Sequence, residues 1–202
     1  YDGLSYIMSE STRLLKMGDL MLSMRLYQRT DTEITSVDIS DLTGHVRKLL
    51  GKKLKEQEVT LCCEMPEAAV AGEEELLGNL FRNLIENAVR ASRPGQTVRW
   101  KGYVRENGDD TGAAALAKAA GNRTIVFTVE DEGVGMNEEE LSRITEPFYR
   151  VDRARSRAQG GAGLGLSVAD VIVKRYGGSM SFASESGRGT RVTVELPGAQ
   201  RS

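Results

Sequence analysis

From Leu4 to Tyr27 apolar residues return every three or four positions: Leu4, Ile7, Met8, Leu14, Leu15, Met17, Leu20, Met21, Leu22, Met24 and Tyr27. Side chains three and four apart share a helical face, so the spacing predicts one amphipathic helix over residues 4–28. Ile7, Leu14 and Met21 share a heptad position, and Met8, Leu15 and Leu22 share its neighbour. A stripe that broad needs a partner, either the following domain or another helix of a bundle. The pattern does not separate a dimer bundle from docking within the chain. Polar Arg29-Thr30-Asp31-Thr32-Glu33 predicts a linker.

Beyond the linker the period alternates between two and 3.6. Residues 35–39 predict a short strand, and Ser40 or Asp41 is expected to cap a helix carrying Leu42, Val46, Leu49, Leu50 and Leu54. Strands follow at 59–63 and near 69–71. A helix over 73–92 has acids in its first turn and Pro94-Gly95 after it. Strands at 97–104 and 124–130 flank a polar, alanine-rich connection over 106–122, with room for one helical turn at 113–119. A short helix near 138–144, a longer one over 167–176, and an antiparallel pair at 179–183 and 188–196 complete the chain. Helices mixed with antiparallel strands point to an α+β layer.

Composition narrows the class. The chain has 202 residues, 40% of them hydrophobic and 28% charged, as in globular proteins rather than disordered ones. Its formal charge of −2 argues against nucleic acid or an acidic membrane surface as the main partner. No apolar run approaches the roughly 20 residues of a membrane span, and no secretory signal opens the chain. Tyr1 in place of Met suggests a piece of a longer protein, so any membrane anchor is expected outside it. Cys62 and Cys63 are neighbours in a predicted strand, on opposite faces and without metal-ligand spacing, which fits packing residues in a reducing cytosol.

Three stretches carry candidate chemistry. On the helix over 73–92, Leu77, Leu80, Phe81, Leu84, Ile85 and Ala88 form an apolar face, with Asn83, Asn87 and Arg90 on a strip beside it. Amide oxygens suit Mg²⁺ and a guanidinium suits phosphate, although the same triplet alone also describes an ordinary polar flank. Glu86 falls further round and reads as a solvent-facing surface charge. Asp131-Glu132-Gly133-Val134-Gly135 stands at a strand end, where an acid can accept from an exocyclic amine and glycines let a flat base approach the backbone. In Gly160-Gly161-Ala162-Gly163-Leu164-Gly165-Leu166 the glycines precede a helix whose free N–H groups suit phosphate. Arg150, Arg153, Arg155 and Arg157 crowd its approach.

These motifs, with Glu146-Pro147-Phe148-Tyr149-Arg150 between them, resemble in order and spacing the N, F and two glycine boxes of sensor histidine kinases. That family belongs to the superfamily of gyrase, Hsp90 and MutL, and the resemblance covers residues 35–197. It implies a two-layer α/β sandwich: a mixed, mainly antiparallel sheet covered on one face by helices and preceded by one long amphipathic helix. It implies ATP and Mg²⁺ as cofactors, with Asn87 on the metal, Asn83 nearby and Arg90 on phosphate. Asp131 would read the adenine amino group, helped by Thr190, with Gly133, Gly135 and Met136 lining the turn. Phe148 and Tyr149 would anchor a mobile lid over 151–161, Arg153 or Arg157 would meet the polyphosphate, and Gly161, Ala162, Gly163, Leu164, Gly165 and Leu166 would cradle it.

The superfamily's hydrolases place a water-activating glutamate where this chain has Asn83, which favours phosphoryl transfer to a protein nucleophile over hydrolysis. The aromatic residue many of these kinases place after the metal asparagine is Ala91 here. His45, the only histidine, is followed by Val46 and Arg47 rather than an acid. It reads as a partly buried packing residue, so the phosphoacceptor is expected outside this chain. The first helix, residues 1–30, then resembles a remnant of the dimerisation and phosphotransfer hairpin, with residues 31–202 as the ATP-binding catalytic domain. Expected partners are a response regulator receiver domain and the histidine-bearing hairpin of the intact kinase, with a homodimer through the first helix left open. The resemblance implies a cytoplasmic location. The alternatives are an anti-sigma-factor-like serine kinase, an ATP-driven conformational switch and a degenerate binding scaffold.

Overall fold

The computed structural model describes residues 35–106, 123–149 and 163–200. The predicted first helix and linker, the turn at 113–119, the four arginines, and Gly160, Gly161 and Ala162 lie outside the described residues.

The element order is β1 (Thr35–Asp38), α1 (Ile39–Glu56), β2 (Thr60–Glu64), β3 (Ala69–Gly72), α2 (Glu74–Ala91), β4 (Thr97–Glu106), β5 (Arg123–Asp131), α3 (Glu138–Arg143), α4 (Gly165–Arg175), β6 (Ser179–Glu185) and β7 (Gly189–Ala199). The strands form one sheet in the order β1-β3-β7-β5-β4-β2, with β6 also paired to β7. β2 runs parallel to β4, and the other pairs are antiparallel. The expected mixed, mainly antiparallel sheet is what forms.

Helices cover the face that carries a continuous row of large apolar side chains. Val98 and Trp100 of β4, Ile125, Phe127 and Val129 of β5, and Val192, Val194 and Leu196 of β7 are buried there against α2 and α4. At the centre Phe81 of α2 stacks on Trp100 and Phe127, with ring centroids 4.8 and 4.6 Å away. Fully burying one such side chain is worth about 1.5–3 kcal/mol, whereas an exposed ion pair gives about 0–1. Apolar contact therefore sets the rotation of α2, and with it the direction its polar strip faces.

Local signals place the boundaries. Asp38, rather than Ser40 or Asp41, caps α1: its Oδ1 accepts from the Ser40 N–H at 2.8 Å, and Ile39 is already helical and buried. Asn137 and Glu140 close a reciprocal capping box on α3. Two residues of α1 differ from expectation. Leu49 is exposed, because the sheet and α2 meet the face of Leu42, Val46 and Leu50. His45 is exposed rather than partly buried, with Nδ1 3.8 Å from Glu74 Oε1. Cys62 and Cys63 are free thiols on β2, and burial pushes the Cys63 thiol up.

Candidate nucleotide-binding site

The flank of α2 carrying Asn83 and Asn87 faces the start of α4. A Cβ added at Gly165 would lie 3.5 Å from Asn83 Oδ1 and 3.5 Å from Asn87 Nδ2. α4 begins at Gly165, two residues before the predicted start, and Leu164 caps it without any side-chain bond. Gly163, just before, has φ +70°, a conformation glycine adopts at no steric cost. Among the described residues the first-turn N–H groups of α4 thus receive no cap from the N-cap side chain, and they lie beside the two amides.

Arg90 is further along the same flank. Its Nη2 lies 3.5 Å from Glu86 Oε2, and Lys53 Nζ of α1 lies 2.8 Å from that oxygen. Glu86 is therefore the half-buried counter-ion of two cations and not the solvent-facing charge its helical angle suggested. Packing α1 against α2 brings Lys53 over it. Arg90 Nε is buried with no partner among the described residues, so the guanidinium keeps an unused donor there.

Asp131 ends β5 on the helix-covered face and is buried at 9% exposure. It accepts from the Gly133 N–H at 2.9 Å and from the Thr190 N–H across the ladder. Burial outweighs these two bonds and raises its pKa to about 6, so the carboxylate remains mostly ionised at pH 7. The turn after it is clamped from both sides. A Cβ at Gly133 would overlap the Ala91 carbonyl at the end of α2, and one at Gly135, where φ is +62°, would overlap the Glu185 carbonyl. The Met136 N–H donates to Ser184 Oγ at 2.9 Å. Gln96 Nε2 donates to the Glu132 carbonyl at 2.7 Å, tying the turn to the loop behind α2.

Phe148 holds φ +68°, and its N–H donates to the Gly163 carbonyl at 2.9 Å. That bond joins the two stretches flanking residues 150–162. The Arg143 guanidinium lies 4.4 Å over the Tyr149 ring. Of the expected site, Asn83 and Asn87 meet Gly165, while Gly133 meets the end of α2 beside Asp131. Asp131 and Thr190 are paired. Leu164 is buried, and Leu166 packs partly buried against the core. Arg153, Arg157, Gly161 and Ala162 lie outside the described residues.

Sequence reasoning missed Ser184, Gln96 and Lys53. Ser184 had a signal: Met180 and Phe182 point to the core with period two, so the next inward position of β6 holds a polar residue where an apolar one is expected. Gln96 and Lys53 act through distant partners and leave no local trace.

The donor set fits a metal carried by polyphosphate. Mg²⁺ keeps most of its coordination for water and substrate phosphate, needing one or two protein oxygens, and the Asn83–Asn87 flank offers amide oxygens beside a helix start that takes anions. A buried acid with no cation against it among the described residues, beside the C-terminal end of α2, suits a neutral hydrogen-bond donor such as an aromatic amine.

Sheet, helical roof and the C-terminal half of α2 together define an ATP-binding catalytic domain. The chain belongs to the family described as Histidine kinase-, DNA gyrase B-, and HSP90-like ATPase, which matches residues 72–200. Among its relatives, the Sensor protein kinase WalK of Staphylococcus epidermidis is 27% identical over 197 residues, 96% of this chain and 30% of WalK. Mycobacterial sensor histidine kinase MprB shares the fold with a TM-score of 0.64 at 21% identity, covering 83% of this chain and 99% of that one. Full-length ShkA, solved with AMPPNP, has a TM-score of 0.66 at 23% identity, covering 96% and 39%. WalK is described as a sensor protein kinase and MprB as a sensor histidine kinase. The chain spans 30% to 46% of the length of the curated relatives it matches.

Proposed function

We propose that this chain is the ATP-binding catalytic portion of a two-component sensor histidine kinase, transferring the γ-phosphoryl group of ATP to a histidine outside the chain. The observation that carries this is the approach of Gly165 to Asn83 and Asn87, which sets a helix start against an amide pair in a member of this ATPase family. The AMPPNP bound to ShkA supports nucleotide as the ligand. In this reading Asn87 holds Mg²⁺ with Asn83 beside it, and Arg90 turns its unused donor to phosphate. Asp131 accepts from the adenine amine, with Thr190, Gly133, Gly135 and Met136 around it. The N–H groups after Gly163 meet the polyphosphate, together with Gly161, Ala162 and Arg153 or Arg157. Phe148 and Tyr149 anchor the segment between. Mg²⁺, when bound, neutralises phosphate charge. Asn83 cannot ionise to activate water, which favours transfer over hydrolysis.

Residues 1–30 act as a remnant of the dimerisation and phosphotransfer hairpin, and residues 31–202 as the catalytic domain. The partners are the histidine-bearing hairpin, a response regulator receiver domain and, through the first helix, a second copy. The domain works on the cytoplasmic side of a sensor whose anchor lies elsewhere. No helix among the described residues is long and apolar enough to cross a membrane.

Calorimetric titration with a nonhydrolysable ATP analogue, with and without Mg²⁺, tests the site. Binding in the micromolar range is expected for the wild type and is largely lost in Asp131→Asn. Undiminished binding by the variant removes Asp131 from adenine recognition. Adding a separately expressed histidine-bearing hairpin and ATP should label that hairpin and not this chain.

A further inference from the structure

Asp131, Thr190 and Ser184 stand opposite one another across β5, β7 and β6, on the helix-covered face. A neighbouring register position holds the apolar trio Val129, Val192 and Phe182. The polar row is joined by hydrogen bonds whose direction can be worked out. Ser184 Oγ lies 2.9 Å from the Gly189 carbonyl, which can only accept, so Ser184 uses its single proton there. Its oxygen accepts the Met136 N–H at 2.9 Å. The remaining contact, 2.9 Å between Ser184 Oγ and Thr190 Oγ1, must then be made by the proton of Thr190. The Thr190 N–H is also committed, to the Asp131 carboxylate.

We propose that Ser184 is a specificity-determining positioning residue: it holds the Thr190 hydroxyl proton away from the nucleotide, so that Thr190 and Asp131 present only acceptors to the base. The inference rests on the adenine-reading role proposed for Asp131. A lone carboxylate discriminates poorly among purines. It accepts the N6–H of adenine, and it equally accepts the N1–H of a 6-oxo purine. A second group that can only accept supplies the discrimination, because the O6 of a 6-oxo purine meets lone pairs on Thr190 with no proton between them. A site with a fixed hydrogen-bond sense rejects the analogue that inverts it, since the mismatched polar groups are left unpaired.

The test compares ATP and inosine triphosphate by competition calorimetry on the full chain. Wild type should prefer ATP. Ser184→Ala releases the Thr190 proton, which can then donate to O6, and the preference should narrow about tenfold, mostly through tighter inosine triphosphate binding. Ser184→Thr keeps a hydroxyl and should restore the wild-type ratio. An unchanged ratio in Ser184→Ala, as when a bridging water relays either sense, overturns the inference. Asp131→Asn separates the two levels: if it retains ATP binding, the site reading itself is wrong. If it abolishes binding while Ser184→Ala leaves the ratio alone, only the role of Ser184 is. Should Ser184→Ala not fold, wild-type NMR decides. A slowly exchanging Thr190 hydroxyl proton with a nuclear Overhauser contact to Ser184 supports the assignment, and a freely exchanging one overturns it.

Discussion

At the scale of single residues, Asp131 carries the sharpest physical signature. Its pKa of about 6 in the folded protein exceeds the ordinary aspartate value near 4, so between those pH values the folded state binds more protons than the unfolded one. Stability therefore falls as pH rises through that window, and an uncharged Asn at the position escapes the penalty. Urea unfolding of nucleotide-free protein should show the Asp131→Asn advantage growing from pH 4 to pH 6, with a pH-dependent part on the order of 2–3 kcal/mol. A difference that stays flat with pH would mean the carboxylate is well solvated. Asp131 was legible because its turn stands in order and spacing with the other motifs of the resemblance; alone, an acid followed by glycines also describes an ordinary turn. The contact of Glu86 with Lys53 was not, since Lys53 is on another helix.

Between elements, glycine positions separate packing from ligand space. At Gly189, where φ is +100°, an added Cβ would overlap the Asp131 carbonyl of the neighbouring strand. Gly189→Ala is expected to destabilise the fold by at least about 2–3 kcal/mol, combining left-handed strain with a backbone clash. At Gly165 the nearest atoms are the Asn83 and Asn87 side chains at 3.5 Å, ordinary contact distance. Gly165→Ala should therefore keep its melting temperature, yet lose at least about tenfold in affinity for the ATP analogue, because the methyl group occupies the gap where phosphate and metal meet the amides. Retained affinity would place the polyphosphate elsewhere. The order of helices and strands followed from periodicity alone. The start of α4 and the cap of α1 did not, because Gly165 and Ile39 become helical through tertiary contacts that propensity does not report.

On the scale of the molecule, the two faces of the sheet have different chemistry. The face away from the helices carries the pairs Arg99–Glu132, Lys101–Glu64, Arg105–Glu195 and Arg191–Glu130. Such pairs add little stability when exposed, but they keep that face hydrated and leave a small net charge. The core they back is closed by α1, α2 and α4, all within the described residues. A chain trimmed to begin at Thr35 should accordingly unfold in one cooperative transition and bind the ATP analogue within about twofold of the full chain, consistent with an independent domain of this size. A large loss of affinity or of cooperativity would assign the first helix to the catalytic domain rather than to a hairpin remnant.

The sequence by itself determined the elements, the class of fold and the short motifs, because periodicity and glycine or acid placement are local properties written within a few residues of each other. Tertiary structure alone decided which polar groups meet. The Lys53 contact of Glu86, the clamp around Gly133 and Gly135, and the bond from Met136 to Ser184 all join residues distant in sequence. Their energies depend on distance and burial, which exist only once the sheet and helices have packed.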